Sequence, residues 1–222
     1  MITQIYEITS PAEAKKLTKL GVDHIGVLVG KGKYRRELNY KRAKRIFKSL
    51  PKGKKGVALS LSSDLKEIIQ LVKEANPDIL HLGTLPENLS PSDVKKLKKC
   101  FPELKIMRAI PVADKKSLKL AKQYEKVADY LLLDSYKKGD FQIGATGGIH
   151  DWNISKRIVK SVKTPVILAG GLGPDNVAEA IKRVKSTGVD SKTKTDRSDG
   201  KGKDLEKVKK FVEIAKSFER RR

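Results

Sequence analysis

The stretch 165–184, PVILAGGLGPDNVAEAIKRV, contains one complete unit of the architecture. Pro165 to Ala169 is an apolar run of strand length without polar alternation, the pattern of a strand buried on both faces of a parallel sheet. Val177, Ile181 and Val184 then recur at helical spacing. Pro174 is expected in the first helical turn, where its missing N–H costs nothing. Between the two, Gly170 and Gly171 can take backbone angles closed to other residues and leave room for a ligand beside the main chain. Two uses fit these glycines: a tight strand exit, or a phosphate-binding turn beside the free N–H groups of a helix N-terminus.

Working outward, the same unit recurs along the chain. Strand-like runs are TQIYEI (3–8), HIGVLVG (24–30), GVALSLS (56–62), DILHLG (78–83), KIMRAIPV (105–112), YLLLDS (130–135), PVILAGG (165–171) and GVDSK (188–192). Each is followed by a helix candidate. SPAE (10–13) and SPSD (90–93) each offer Ser at the N-cap, Pro at the first helical position and an acid three residues after the cap. Leu65, Ile68, Ile69 and Val72 form one apolar helix face; Leu205, Val208, Val212 and Ala215 form another. Eight such units in 222 residues, with no linker or break in composition, predict a single (β/α)8 TIM barrel over residues 1–222. The polar segment DSKTKTDRSDGKGKD (190–204) is then expected on the C-terminal face, where barrels build their active sites. Its composition fits a mobile loop as well as a functional one.

Composition narrows the class. With 38% hydrophobic residues the chain can bury one sizeable core. No apolar run approaches the roughly 20 residues that span a bilayer, and MITQIYEITSPAEA has neither a basic nor a hydrophobic signal region, so a soluble, cytoplasmic protein is expected. The single cysteine, Cys100, reads as a packing residue at a helix end. The 49 Lys and Arg against 26 Asp and Glu leave a net charge of +23. That surplus would attract nucleic acid or anionic metabolites. The basic residues are spread over nearly every helix, however, and no nucleic-acid-binding motif interleaves them with aromatics.

Three motifs in order resemble phosphoribosylanthranilate isomerase: YLLLDS ending in Asp134, the loop GATGGIHDW (144–152), and VILAGGLGPDNVAEAI followed by GVDSKT. The likeness is strong from about residue 130 onward and thinner before it, where SPAEAKKLTKLGVDHIGVLV and Arg36 match the family. The resemblance implies an enzyme of tryptophan biosynthesis: an intramolecular aldose-ketose isomerase that performs an Amadori rearrangement on a phosphorylated substrate without metal or organic cofactor. Such chemistry needs an acid for the ring oxygen and a base for the C2 proton, on opposite sides of the sugar.

By resemblance Asp134 is the acid, Gly170 and Gly171 lie in the phosphate turn, Arg36 contacts an anionic part of the substrate, and Asp190 orients a sugar hydroxyl or the ring amine. Where the family has Ser-Ser-Gly after its last strand this chain reads SKTKTD (191–196), so Lys192 and Thr193 are expected to hold the phosphate through charge and hydroxyl. Arg108 is a further candidate for an anionic part of the substrate. The base position differs. Where the family has Lys-x-Cys-Gly on its first strand, this chain reads QIYEIT, with Tyr6 at the cysteine and Glu7 at the glycine. Tyrosine, with an ordinary pKa near 10, is a poor base, and Glu7 is chemically better suited. Strand alternation turns Glu7 away from Tyr6 unless the strand ends there. On the fourth strand His81 stands where the family has Gln, as a ligand contact or a hydrogen-bonded core residue. A paralogue that keeps the phosphate site but runs a different phosphosugar reaction or none, and a basic nucleic-acid-binding protein, are the alternative readings.

Overall fold

The computed structural model describes residues 1–137, 139, 143–144 and 148–218. Eight strands alternate with eight helices: β1 (Ile2–Ile5), α1 (Pro11–Lys19), β2 (His24–Leu28), α2 (Tyr40–Lys48), β3 (Lys55–Ser60), α3 (Leu65–Ala75), β4 (Ile79–Leu82), α4 (Pro91–Cys100), β5 (Lys105–Val112), α5 (Lys116–Tyr124), β6 (Tyr130–Ser135), α6 (Trp152–Ser161), β7 (Val166–Leu168), α7 (Val177–Val184), β8 (Gly188–Ser191) and α8 (Leu205–Ser217). The strands are all parallel and close into a ring in sequence order, with Gln4 opposite Asp190 and Ile5 opposite Ser191 where β1 meets β8. This is the (β/α)8 barrel expected from the eight units.

Two apolar layers hold it. The larger lies between strands and helices and takes in Ile5, Ile25, Leu80, Leu133, Leu168 and Phe211. The smaller fills the barrel with Val57, Ile79, Met107, Leu132 and Ile167. Continuous apolar strands are what burial on both faces requires. The expected caps form: Ser10 accepts from the Glu13 amide at 3.2 Å, and Ser90 with Asp93 makes a reciprocal capping box. No helix among the described residues is long and apolar enough to cross a membrane.

Several local expectations are corrected. Pro174 is not in the first helical turn, because α7 starts at Val177 with Asn176 as its cap residue. The Asn176 side chain folds back instead, accepting from the Gly173 amide at 2.9 Å and donating to the Gly171 carbonyl at 3.0 Å. Cys100 is exposed rather than packed: the face of α4 continues from Val94 and Leu97 to Phe101. Leu205 is likewise exposed at 37%, and Phe211 takes its place in the buried face of α8. Of the segment 190–204, Asp190 and Ser191 complete β8, and Thr193–Thr195 form a short 3-10 helix.

Candidate active site

A cavity of about 450 Å³ opens at the C-terminal end of the strands. It is lined by Tyr6, Glu7, Arg36, His81, Asp134, Gly170, Gly171, Asp190, Lys192 and Thr193, every residue singled out from the sequence except Arg108. On β5 the neighbours Met107, in the barrel's inner cluster, and Ala109, on the cavity wall, face the interior, so strand parity turns Arg108 toward the helices. There its Nη1 donates to the Leu82 carbonyl at 2.6 Å, and its guanidinium lies 4.9 Å from the Tyr124 ring centre on α5.

Asp134 stands at the end of β6, three places round the ring from β1. Burial of its carboxyl pushes the pKa up to about 6, against the pull of Ser135 and Lys192. The Ser135 amide donates to Asp134 Oδ1 at 2.7 Å. Two glycines make room for it. A Cβ at Gly144 would lie 2.2 Å from Asp134 Oδ2, and one at Gly170 would lie 3.3 Å from Oδ1 and 2.7 Å from His150 Nδ1. His150 thus reaches the acid's surroundings, although the sequence reading passed over it within the quoted glycine-rich motif. Residues 145–147 of that motif lie outside the described residues.

Deeper in the barrel, Asp190 accepts from Gln4 Nε2 at 3.2 Å, and Gln4 Oε1 lies 3.1 Å from His24 Nδ1. Burial, with the nearby Asp134 charge, pushes Asp190 up to about 8 despite the Gln4 bond. Tyr6 is also raised, well above the ordinary phenol value, by burial and then by the charges of Asp190 and Asp134. It therefore keeps its proton.

Glu7 faces the cavity because β1 ends at Ile5 and the chain turns with φ of +61° at Glu7, the left-handed region that glycine prefers. Its carboxylate meets Lys192 Nζ at 2.6 Å and Arg36 Nη1 at 3.7 Å. Arg36 also donates to Asp196 Oδ1 at 2.9 Å and to the Gly200 carbonyl at 2.6 Å. Lys203, fully buried at its side chain, donates to Asp196 Oδ1 at 2.7 Å and to the Lys192 carbonyl at 2.8 Å. Asp196 and Lys203 escaped the sequence reading, since nothing in the polar segment announces that Arg36, 160 residues from Asp196, joins them or that the lysine is buried.

The loops after β7 and β8 are sewn together. Ser191 Oγ donates to the Leu172 carbonyl at 2.7 Å, and a Cβ on Gly173 would lie 2.7 Å from the Lys194 Cβ. Gly170 and Gly171 take φ of +82° and +63°, beside the start of the 3-10 helix at Thr193. Loops after strands seven and eight with a short extra helix are where barrels of this kind grip phosphate. Among the described residues no three His, Cys, Asp or Glu side chains gather as a metal site.

A sequence model of the family described as N-(5'phosphoribosyl)anthranilate (PRA) isomerase matches residues 3–214. The chain is 36% identical over 198 residues to N-(5'-phosphoribosyl)anthranilate isomerase 2 of Methanosarcina mazei, covering 89% of this chain and 86% of that one. Its structure resembles the N-(5'-phosphoribosyl)anthranilate isomerase of Pyrococcus furiosus with a TM-score of 0.79 and 25% identity, over 98% of this chain and 99% of the other. A phosphoribosyl anthranilate isomerase solved in complex with reduced 1-(o-carboxyphenylamino)-1-deoxyribulose 5-phosphate shares the fold, with a TM-score of 0.76 and 22% identity, over 98% of this chain and 100% of that one.

Proposed function

Since the chain belongs to the N-(5'-phosphoribosyl)anthranilate isomerase family, we propose that its cavity isomerises phosphoribosylanthranilate to the aminoketose, a step of tryptophan biosynthesis. The observation that carries this reading is an acid and a carboxylate from strands three places apart in the ring, lining one cavity that also holds the glycine and lysine loops: Asp134 on β6, and Glu7 after β1. Asp134, with its pKa near 6, retains a proton into the range where it can donate. It protonates the ring oxygen, the C1–O bond breaks onto that oxygen, and the nitrogen lone pair forms a C=N bond. Glu7, ion-paired with Lys192, takes the C2 proton; the C–H electrons become the C1=C2 bond of an enol as the C=N pair returns to nitrogen. Loss of the enol O–H proton and protonation at C1 complete the aminoketose. Tyr6 holds its own proton too tightly to serve as the base. Gly170, Gly171, Lys192 and Thr193 hold the phosphate end of the substrate, and Arg36 an anionic group at the mouth.

Purified protein is expected to consume phosphoribosylanthranilate, read as loss of anthranilate fluorescence. Asp134→Asn and Glu7→Gln are each expected to lower kcat by about 10²- to 10⁴-fold. Folded protein without turnover would overturn the reading, and full activity in Glu7→Gln would move the base elsewhere.

A further inference from the structure

Two of the positions that depart from the family pattern, Tyr6 just after β1 and His81 on β4, lie 75 residues apart and touch: Tyr6 Oη stands 2.6 Å from His81 Nδ1 inside the barrel. Both side chains are nearly enclosed, at 4% and 5% exposure, and both line the cavity. Room for the phenol ring comes from β2, where a Cβ on Gly26 would lie 2.3 Å from it. His81 Nε2 is buried without a hydrogen-bond partner among the described residues.

A neutral imidazole carries one N–H, so Nε2 is here either an orphan donor or an orphan acceptor. A buried orphan N–H is the rarer of the two, as backbone groups show. The favoured tautomer therefore places the hydrogen on Nδ1, which donates to Tyr6 Oη. The phenol's own hydrogen is left over, and the hydroxyl makes no second hydrogen bond among the described residues.

We infer that Tyr6 and His81 act as one neutral pair, in which His81 aims the Tyr6 hydroxyl to donate to an uncharged oxygen, hydroxyl or carbonyl, of the phosphorylated sugar in the cavity. This rests on reading the cavity as the isomerase site. Tyr6 is then a binding residue and His81 a positioning residue. An uncharged oxygen fits because Asp190 and Asp134 line the same cavity and their charges act on the phenol. The cations Lys192 and Arg36 stand at the mouth with Glu7, where they draw the anionic parts of the ligand.

The test compares binding of two probes, reduced 1-(o-carboxyphenylamino)-1-deoxyribulose 5-phosphate and inorganic phosphate, by titration calorimetry. Tyr6→Phe keeps the ring over Gly26 and removes only the hydroxyl. It is expected to weaken the sugar phosphate roughly threefold to tenfold, the usual worth of one neutral hydrogen bond, and to leave inorganic phosphate unchanged. His81→Leu is expected to do the same, the double variant no worse than either single one, and His81→Gln, which can still donate to the phenol, to restore most of the loss. In turnover, Tyr6→Phe raises KM at least as much as it lowers kcat. Equal affinity of Tyr6→Phe and the parent for the sugar phosphate overturns the pair, as does a parent that binds the sugar phosphate no better than inorganic phosphate. Additive losses in the double variant remove the coupling. If Tyr6→Phe shows the selective loss while the parent has no turnover, the pair stands and the isomerase reading fails.

Discussion

Glu7 pays about 1–2 kcal/mol for its left-handed backbone. The turn nonetheless sets its carboxylate against Lys192 and Arg36 and points it into the cavity. Glu7→Gly and Glu7→Ala both lose the carboxylate, so their difference isolates the backbone. In urea unfolding the glycine variant is expected to be the more stable by roughly 0.5–1 kcal/mol, the left-handed penalty less glycine's larger unfolded-state entropy. Equal midpoints would mean that the turn stores no strain. Strand alternation placed Glu7 on the wrong side as long as β1 was read through residue 8, and only the glycine of the family pattern at this position signalled a turn. Parity was the better guide for Arg108. Met107 and Ala109 point inward, so the arginine between them faces the helices, and its charge alone was misleading.

The loop between β8 and α8 is the element that the sequence described least well. The eight strand-helix units were legible because each signal is local: an apolar run, a cap, a helical face. The ties of this loop are not local. Arg36, from the segment after β2, and Lys203 both converge on Asp196, and an isolated bridge pairs Asp196 with Lys203. Composition made the segment look mobile, since polar and glycine-rich sequence gives no hint of a buried cation. Asp196→Ala would leave Lys203 buried without its carboxylate. It is expected to destabilise the protein by about 3–5 kcal/mol, read from chemical unfolding, and to weaken phosphate binding through Lys192, whose carbonyl Lys203 holds. Unchanged stability would show that the loop does not depend on this knot.

At the scale of the molecule, two buried acids bend the dependence of stability on pH. Asp134 at about 6 and Asp190 at about 8 lie above the ordinary carboxylate range, so the folded state binds protons that the unfolded chain releases. Their contribution to stability is complete below about pH 4 and is lost as pH rises through 6 and 8. Asp190→Asn removes the charge while keeping an acceptor for Gln4. Its melting temperature is expected to exceed that of the parent at pH 8, with the gap closing by about pH 4; no advantage at pH 8 would mean that Asp190 ionises there without cost. The ring itself carries one further consequence. Because β1 hydrogen-bonds to β8, the Glu7 turn and the loops after β7 and β8, which line one cavity, come from opposite ends of the chain. During synthesis, a ribosome that has released seven strands holds a protein with two raw sheet edges and a cavity that lacks part of its lining. Activity cannot accumulate gradually along the nascent chain, and appears only when the eighth strand emerges to close the barrel.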